Sequence, residues 1–427
     1  MSAAIEVRQQ QFAQWRSWAT WGCAAAFFFY QFVVRVSPSV FTNELMLDLG
    51  ITARDYGALG SIYYISYGSV QLFVGLILDR LGVRYPLAIA ALMIMTGCLM
   101  YALATSMTVL LIARFIAGVG SALGFLSCIK TASMWFSSER LGLMIGLSIL
   151  IGMVGATSGS FPMAYLVSHV GWRDSMMVLS AIGGVLCVVT ILLSRDRSDP
   201  VGHSLVEEVE NLSISESLMI LLRNPQTYLY ALYGGLMYIP MSAFADAWGN
   251  KYLTLLYDVE ALEASHSASI TYIGLAASGP LIAMISDRLR SYKKVMLTGS
   301  LVSLVGYTVA IYFPMPSFLM TYPLFFVIGF ALGAQFFAFA SICELNPRQV
   351  SATASGFQNM VNMIVGALSV LAVGFILDHI SEGRLEDIVS RYTISDFHIA
   401  LATVPISIFI ACVLMLFVKE AYPPEEA

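Results

Sequence analysis

Apolar runs of roughly 20 residues recur from one end of the chain to the other, separated by short polar breaks. The hydrocarbon core of a bilayer is about 30 Å thick and needs about 20 residues of helix to cross it. The runs therefore predict membrane spans. Twelve can be laid out, at 19–46, 56–78, 85–105, 108–132, 141–167, 174–194, 226–248, 266–286, 294–313, 318–342, 351–377 and 397–418. No alternating barrel pattern appears, and lipid cannot satisfy an open strand edge, so the spans are expected to be helices. The longest polar stretch, "SRDRSDPVGHSLVEEVENLSISESLMILLRNP", follows the sixth span. The expected organisation is a six-helix lobe over 1–194, a cytoplasmic linker over 195–225, a second six-helix lobe over 226–418 and a tail over 419–427. Within the linker, Ser204 to Arg223 reads either as an amphipathic helix on the membrane surface or as a plain connection.

Composition agrees with the pattern. Hydrophobic residues make up 58% of the chain and charged residues 11%, against about 25% charge in a soluble domain. A net charge of −5 argues against nucleic acid as a partner. The six cysteines are dispersed without CxxC spacing, so no disulfide framework or metal site is expected. The first apolar run lacks a small-residue cleavage site and reads as a span rather than a signal peptide. Fourteen of the 22 Lys and Arg fall on the side of the N-terminus, five on the other side and three within spans. By the positive-inside rule both termini are cytoplasmic.

The chain also repeats itself. "LILDRLGVR" follows the second span and "MISDRLRSYKK" follows the eighth, with Asp79 and Asp287 standing 208 residues apart. A weaker echo pairs "LVSHV" with "ILDHI" at the ends of the fifth and eleventh spans. Duplicated units of this kind occur in secondary transporters, with the site near mid-membrane between the repeats.

On these residues the chain resembles the major facilitator superfamily. Gly75, Asp79, Arg80, Gly82 and Arg84 of "GLILDRLGVR" match the family's loop between its second and third helices, with Val83 where a basic residue is usual. The copy in the second half has Ala283 in place of the leading glycine. "RFIAGVGSAL" (Arg114, Gly118, Gly120, Ala122) and "GWR" (Gly171 to Arg173) match further family positions. The resemblance implies an all-α membrane protein, with twelve transmembrane helices in two pseudo-symmetric lobes. It also implies that Gly75, Asp79, Arg80, Arg84, Asp287 and Arg288 gate the inner side, bridging the lobes when that side is shut. Simple basic anchoring is the alternative for the arginines. Gly118, Gly120 and Gly124 are expected on one helix face, permitting close packing. "FYQFVVRVSPSV", "FADAWGNKYL" and "GAQFFAFASICELNP" look similar to phagosomal transporters of intracellular bacteria, which implies amino-acid or nucleoside uptake.

Arg35 is the sharpest candidate. A cation within a span is expensive, and Pro38 three residues on opens the helix. Gln31 shares its face at i, i+4, while Tyr30 is offset. A similar arginine occurs in the glycerol-3-phosphate/phosphate antiporter group. That resemblance implies that Arg35 holds a substrate carboxylate or phosphate with its planar fork of donors; a structural ion pair is the alternative. Lys130 is placed in the inner vestibule or at the interface. Tyr233, Gln335, Gln358 and Asn362 are candidate cavity residues, the last two sharing a face, with helix-to-helix bonding as the alternative. Arg114 is assigned to proton coupling or to binding backbone carbonyls. No acidic residue falls in the middle of a drawn span; Asp246, near the outer end of the seventh, is the best coupling carboxylate, and an interfacial role is the alternative.

No catalytic constellation and no GxxxxGK[ST] motif appear, so neither an enzyme nor a nucleotide-driven pump is expected, and no cofactor. The expected function is transport of a small polar organic solute by alternating access in the bacterial inner membrane. An amino acid imported with protons by a monomer is the first reading. The alternatives are an organic-anion exchanger or exporter, a carboxylate siderophore included, and a nutrient sensor on the same fold.

Overall fold

The computed structural model describes residues 2–196, 214–382, 384 and 391–422. The first half runs α1 (Ser2–Val36), a 3-10 turn (Ser37–Val40), α2 (Thr42–Leu49), α3 (Ala53–Leu81), α4 (Arg84–Ala102), α5 (Met107–Ser121), α6 (Gly124–Trp135) and α7 (Ser138–Leu193). After α8 (Ile214–Arg223), the second half runs α9 (Pro225–Ile239), a π-helical segment (Pro240–Trp248), α10 (Gly249–Tyr257), α11 (Ala261–Leu289) and α12 (Tyr292–Tyr312). It continues through α13 (Thr321–Leu332), α14 (Phe337–Glu344), α15 (Ser351–Ile380), α16 (Ile394–Ala400) and α17 (Thr403–Leu414). Most of the linker, 197–213, and the end of the tail, 423–427, lie outside the described residues, as does the first part of the expected surface helix.

Among the described residues ten helices are long and apolar enough to cross a membrane. One of them, Arg140–Leu193, is 54 residues long and would reach about 80 Å if straight. It breaks at Gly171, where φ is +82°, a backbone angle that glycine takes without a steric penalty. The fifth and sixth expected spans share this element. The seventh falls on α9 and the π segment, and the helix continues beyond it into α10. Pro240 offers no backbone N–H and interrupts the α-helical ladder there. The wider π turns that follow are all buried.

Local chemistry sets the helix ends. Thr52 and Asp55 form a reciprocal capping box that starts α3, and Gly82 at φ +73° stops it. Asn224 caps α9 ahead of Pro225. α3 and α11 are each 29 residues long and start 208 positions apart, the same interval that separates the two Asp-Arg-Leu motifs.

The halves meet along two seams, α3 against α15 and α7 against α11. At Gly57 an added Cβ would stand 2.9 Å from the Val370 carbonyl, so the first seam depends on the absent side chain. The expectation that Gly118, Gly120 and Gly124 share one face is not met. They lie against Tyr63 and Ser66 of α3, Ala90 of α4 and Phe28 of α1 respectively, so one strand of small residues serves three neighbours.

Cross-half bonds are unevenly distributed. Ala53 N–H donates to the Tyr392 hydroxyl at 3.0 Å and Arg54 N–H to Asp378 at 3.0 Å. Ser160 donates to the Ser265 carbonyl at 2.9 Å, and Asn250 to Ser39 at 3.1 Å. All lie on the side opposite the Asp-Arg-Leu motifs. On the motif side, Asp79 pairs with Lys130 at 2.6 Å and Asp196 accepts from Val83 N–H at 2.6 Å. Arg84 donates to the Ile191 carbonyl, and Asp287 accepts from the Tyr422 hydroxyl. Each of these stays within one half. The polar ties between the halves named here are thus on the far side, and those named on the motif side stay within a half.

Candidate functional site

The apolar run Phe27–Val34 carries α1 up to Val36, where Pro38 forces a tighter 3-10 turn. Arg35 sits in this last turn and is 6% exposed. Its guanidinium carbon lies 4.2 Å from the centre of the Phe32 ring, a cation–π contact. Its Nε stands 3.2 Å from a carboxylate oxygen of Asp246, in the π segment of the other half. That approach is off the N–H axis, and Nε has no hydrogen-bond acceptor, so the contact is an ion pair only.

Asp246 is equally buried. Its two oxygens accept hydroxyls from Tyr64 of α3 and Tyr272 of α11. Four residues thus converge, two from each half: Arg35 and Tyr64 from the first, Asp246 and Tyr272 from the second. Tyr238 packs edge-on to Tyr64 at 6.1 Å, and its own hydroxyl is buried without a partner.

Burying one charge of each sign together offsets part of the cost of stripping both of water. The arrangement has a chemical consequence. An anion that takes the guanidinium must compete with Asp246, and a proton that neutralises the carboxylate must compete with Arg35. Either event weakens a contact that joins the halves at mid-span.

The remaining sequence candidates are distributed as follows. Gln31 is buried beside Tyr63, whose hydroxyl reaches its side-chain oxygen at 3.5 Å. Tyr30 points away from the centre and donates to the Leu179 carbonyl at 2.8 Å within its own half. Tyr233 likewise bonds Ser300 at 2.9 Å between α9 and α12. Both are helix-to-helix ties, which corrects their assignment to the cavity. Lys130 is bound to Asp79. Arg114 donates to the Val34 and Leu59 carbonyls and lies over the Tyr63 ring, so its geometry is that of a backbone tie. Gln358 donates to Asn362 at 2.8 Å and to the Ala231 carbonyl, and its own oxygen lacks a partner. Gln335 is buried with its oxygen unpartnered. Gly75, Arg80 and Arg288 lie at the motif-side surface.

Asp246 is the main correction. The hydropathy pattern put it near the outer end of a span and left the spans without a central acid. The helix in fact continues nine residues past Trp248, which leaves Asp246 about 17 Å from its end. Tyr64 and Tyr272 were not singled out as site residues. They too are 208 residues apart, so the interval between the Asp-Arg-Leu motifs could have found them.

An all-helical, multi-pass membrane protein built from a repeated unit, with a buried ion pair between its halves, is the class that fold and site define. The chain belongs to the Major Facilitator Superfamily, whose family model matches residues 23–370 and 241–426. It is 26% identical over 388 residues to the membrane sensor protein UhpC of Salmonella typhimurium, covering 84% of this chain and 85% of the other. A probable hexose phosphate transport protein of Chlamydia trachomatis is 24% identical, covering 82% and 83%. A probable L-galactonate transporter of Escherichia coli is also 24% identical, covering 82% and 81%. Among solved structures, a bacterial homologue of the human lysosomal transporter Spinster, inward-facing and unoccupied, superposes with a TM-score of 0.76 at 16% identity, covering 94% and 96%.

Proposed function

We propose that this facilitator-family transporter moves a small organic anion by alternating access, with Arg35 holding the carboxylate or phosphate. The observation behind this reading is the Arg35 guanidinium, buried, with its Nε unbonded, and facing a carboxylate it can exchange for another. A planar fork of donors suits such an exchange. Asp246 is then the internal anion that occupies Arg35 between substrates, and a proton arriving on Asp246 releases the arginine. That couples proton and anion entry without a second carboxylate.

This organic-anion reading takes precedence over the amino-acid one. The site has one cation and one anion already matched, and relatives named for hexose phosphate and L-galactonate carry anionic solutes. With the basic loops in the cytoplasm of a bacterial inner membrane, the far-side ties support an inward-facing state. Asp79, Arg84 and Asp287 bond within their own halves there, and would exchange those partners for contacts across the inner side when the halves rock the other way. Both termini are cytoplasmic and the working unit is a monomer.

The test is thermal stabilisation of the purified protein by phosphate, sugar phosphates, sugar acids, amino acids and nucleosides, followed by flux into liposomes. Ligand at a hundred times its Kd adds about 2.7 kcal/mol of apparent stability. The control is Arg35→Gln combined with Asp246→Asn, which removes both charges together. Anions should stabilise the native protein and not the control; stabilisation of both alike removes Arg35 from the site. Likeness to a sensor favours a second reading. A sensor would bind the same anions and show no flux.

A further inference from the structure

Gln71 on α3 is 1% exposed, and neither its amide oxygen nor its amide nitrogen has a hydrogen-bond partner. Buried amides are nearly always bonded, and each exception calls for an explanation. Helix packing does not supply one, because an apolar side chain would fill the same space without leaving polar atoms unmet. The position is informative. Gln71 follows Tyr64 by seven residues, which returns it to within about 20° of the same direction and about 10 Å nearer the motif side. Between them on that face is Tyr67, buried, with the Asn359 side chain of α15 as a polar neighbour. Gln71 lies beside Gly356 of α15, where a Cβ would come to 3.8 Å from its carbonyl oxygen. A polar strip therefore leads from the Arg35–Asp246 pair along the seam between α3 and α15.

We infer that Gln71, with Tyr67 and Asn359, forms a second part of the central site, binding hydroxyl groups of the solute whose charged end is held by Arg35. This rests on the anion reading given above and narrows it. An amide offers two donors and two acceptor lone pairs, which matches neighbouring hydroxyls that each donate and accept. The substrate class is then a polyhydroxylated organic anion, its charged group at Arg35 and its hydroxyls toward Gln71.

The experiment measures the concentration giving half-maximal thermal stabilisation for inorganic phosphate, glycerol 3-phosphate, glucose 6-phosphate and gluconate. It compares the native protein with Gln71→Leu and Gln71→Asn. The native protein should bind glucose 6-phosphate more tightly than inorganic phosphate. Gln71→Leu should weaken glucose 6-phosphate by about tenfold, the scale of one or two lost hydrogen bonds, and leave inorganic phosphate unchanged. Gln71→Asn, which keeps the amide, should fall between. If Gln71→Leu leaves the ratio of the two affinities as it was, or weakens both equally, the inference is wrong. If anions bind through Arg35 but hydroxyls bring no gain in the native protein, the second part of the site falls and the anion reading stands. If no anion binds through Arg35, both fall.

Discussion

Replacing Asp246 by Asn keeps the shape of the side chain and removes its charge, leaving Arg35 buried without a counterion. The pair stands at 3.2 Å, and at an effective dielectric of about 20 its attraction is about 5 kcal/mol. The Tyr64 and Tyr272 hydroxyls also lose a charged acceptor, and each such bond drops from about 2 to about 1 kcal/mol. The carboxylate no longer has to be stripped of water, which offsets part of the loss. Removing one member of a buried pair costs about 3–5 kcal/mol on balance, whereas replacing both by apolar groups is neutral or stabilising. The assay is thermal unfolding in detergent, followed by tryptophan fluorescence. Asp246→Asn should lower the midpoint by on the order of 10 °C. Arg35→Met combined with Asp246→Leu should lie within a few degrees of the native protein. A single variant as stable as the native protein would mean that Asp246 does not carry the compensating charge. A double variant showing only the sum of the two single losses would mean that the residues are not coupled.

Two further outcomes follow from the seams and the tail. Gly57→Val places branched carbons where even a Cβ would be 2.9 Å from the Val370 carbonyl; it should prop the far side open, and a cysteine at Ser39 should then react faster with a water-soluble thiol reagent than in the native background. Glu420 is pushed up by partial burial, but hydrogen bonds from Ser291 and from backbone N–H groups of Tyr422, Lys293 and Ala421 outweigh this and hold its pKa below the ordinary 4.5. A depressed carboxylate gives stability that is present above its unfolded pKa and lost as pH falls through the folded one. The tail should therefore resist carboxypeptidase at neutral pH and be trimmed faster as pH falls well below the ordinary 4.5, while Glu420→Gln should be trimmed equally at both.

The membrane class, the repeat and Arg35 were legible in the chain because each rests on a strong local contrast: apolar run against polar break, motif against motif, one cation against a background of hydrocarbon. Asp246 was legible as a residue but misplaced. Hydropathy ended its span at Trp248, while Lys251 and Asn250, polar by type, are buried in the same helix. Tyr30 and Tyr233 were indistinguishable from Tyr64 and Tyr272 by composition. What separates them is the acceptor, a backbone carbonyl or hydroxyl of the same half against a carboxylate of the central pair. Backbone acceptors on neighbouring helices leave no mark in a sequence. Gln71 was passed over for a related reason, since an amide among apolar residues stands out only once its lack of partners is known.

The two tyrosines at equivalent places treat the halves alike, but the charges between them do not. One half supplies only the cation and the other only the anion. Two copies of the first half, brought together in the same geometry, would set arginine against arginine, and two copies of the second would set carboxylate against carboxylate. Halves expressed as separate chains should consequently recognise each other and reject themselves. The duplicated scaffold thus has a polarity that its backbone symmetry lacks, and a single opposite-charge contact is enough to encode it.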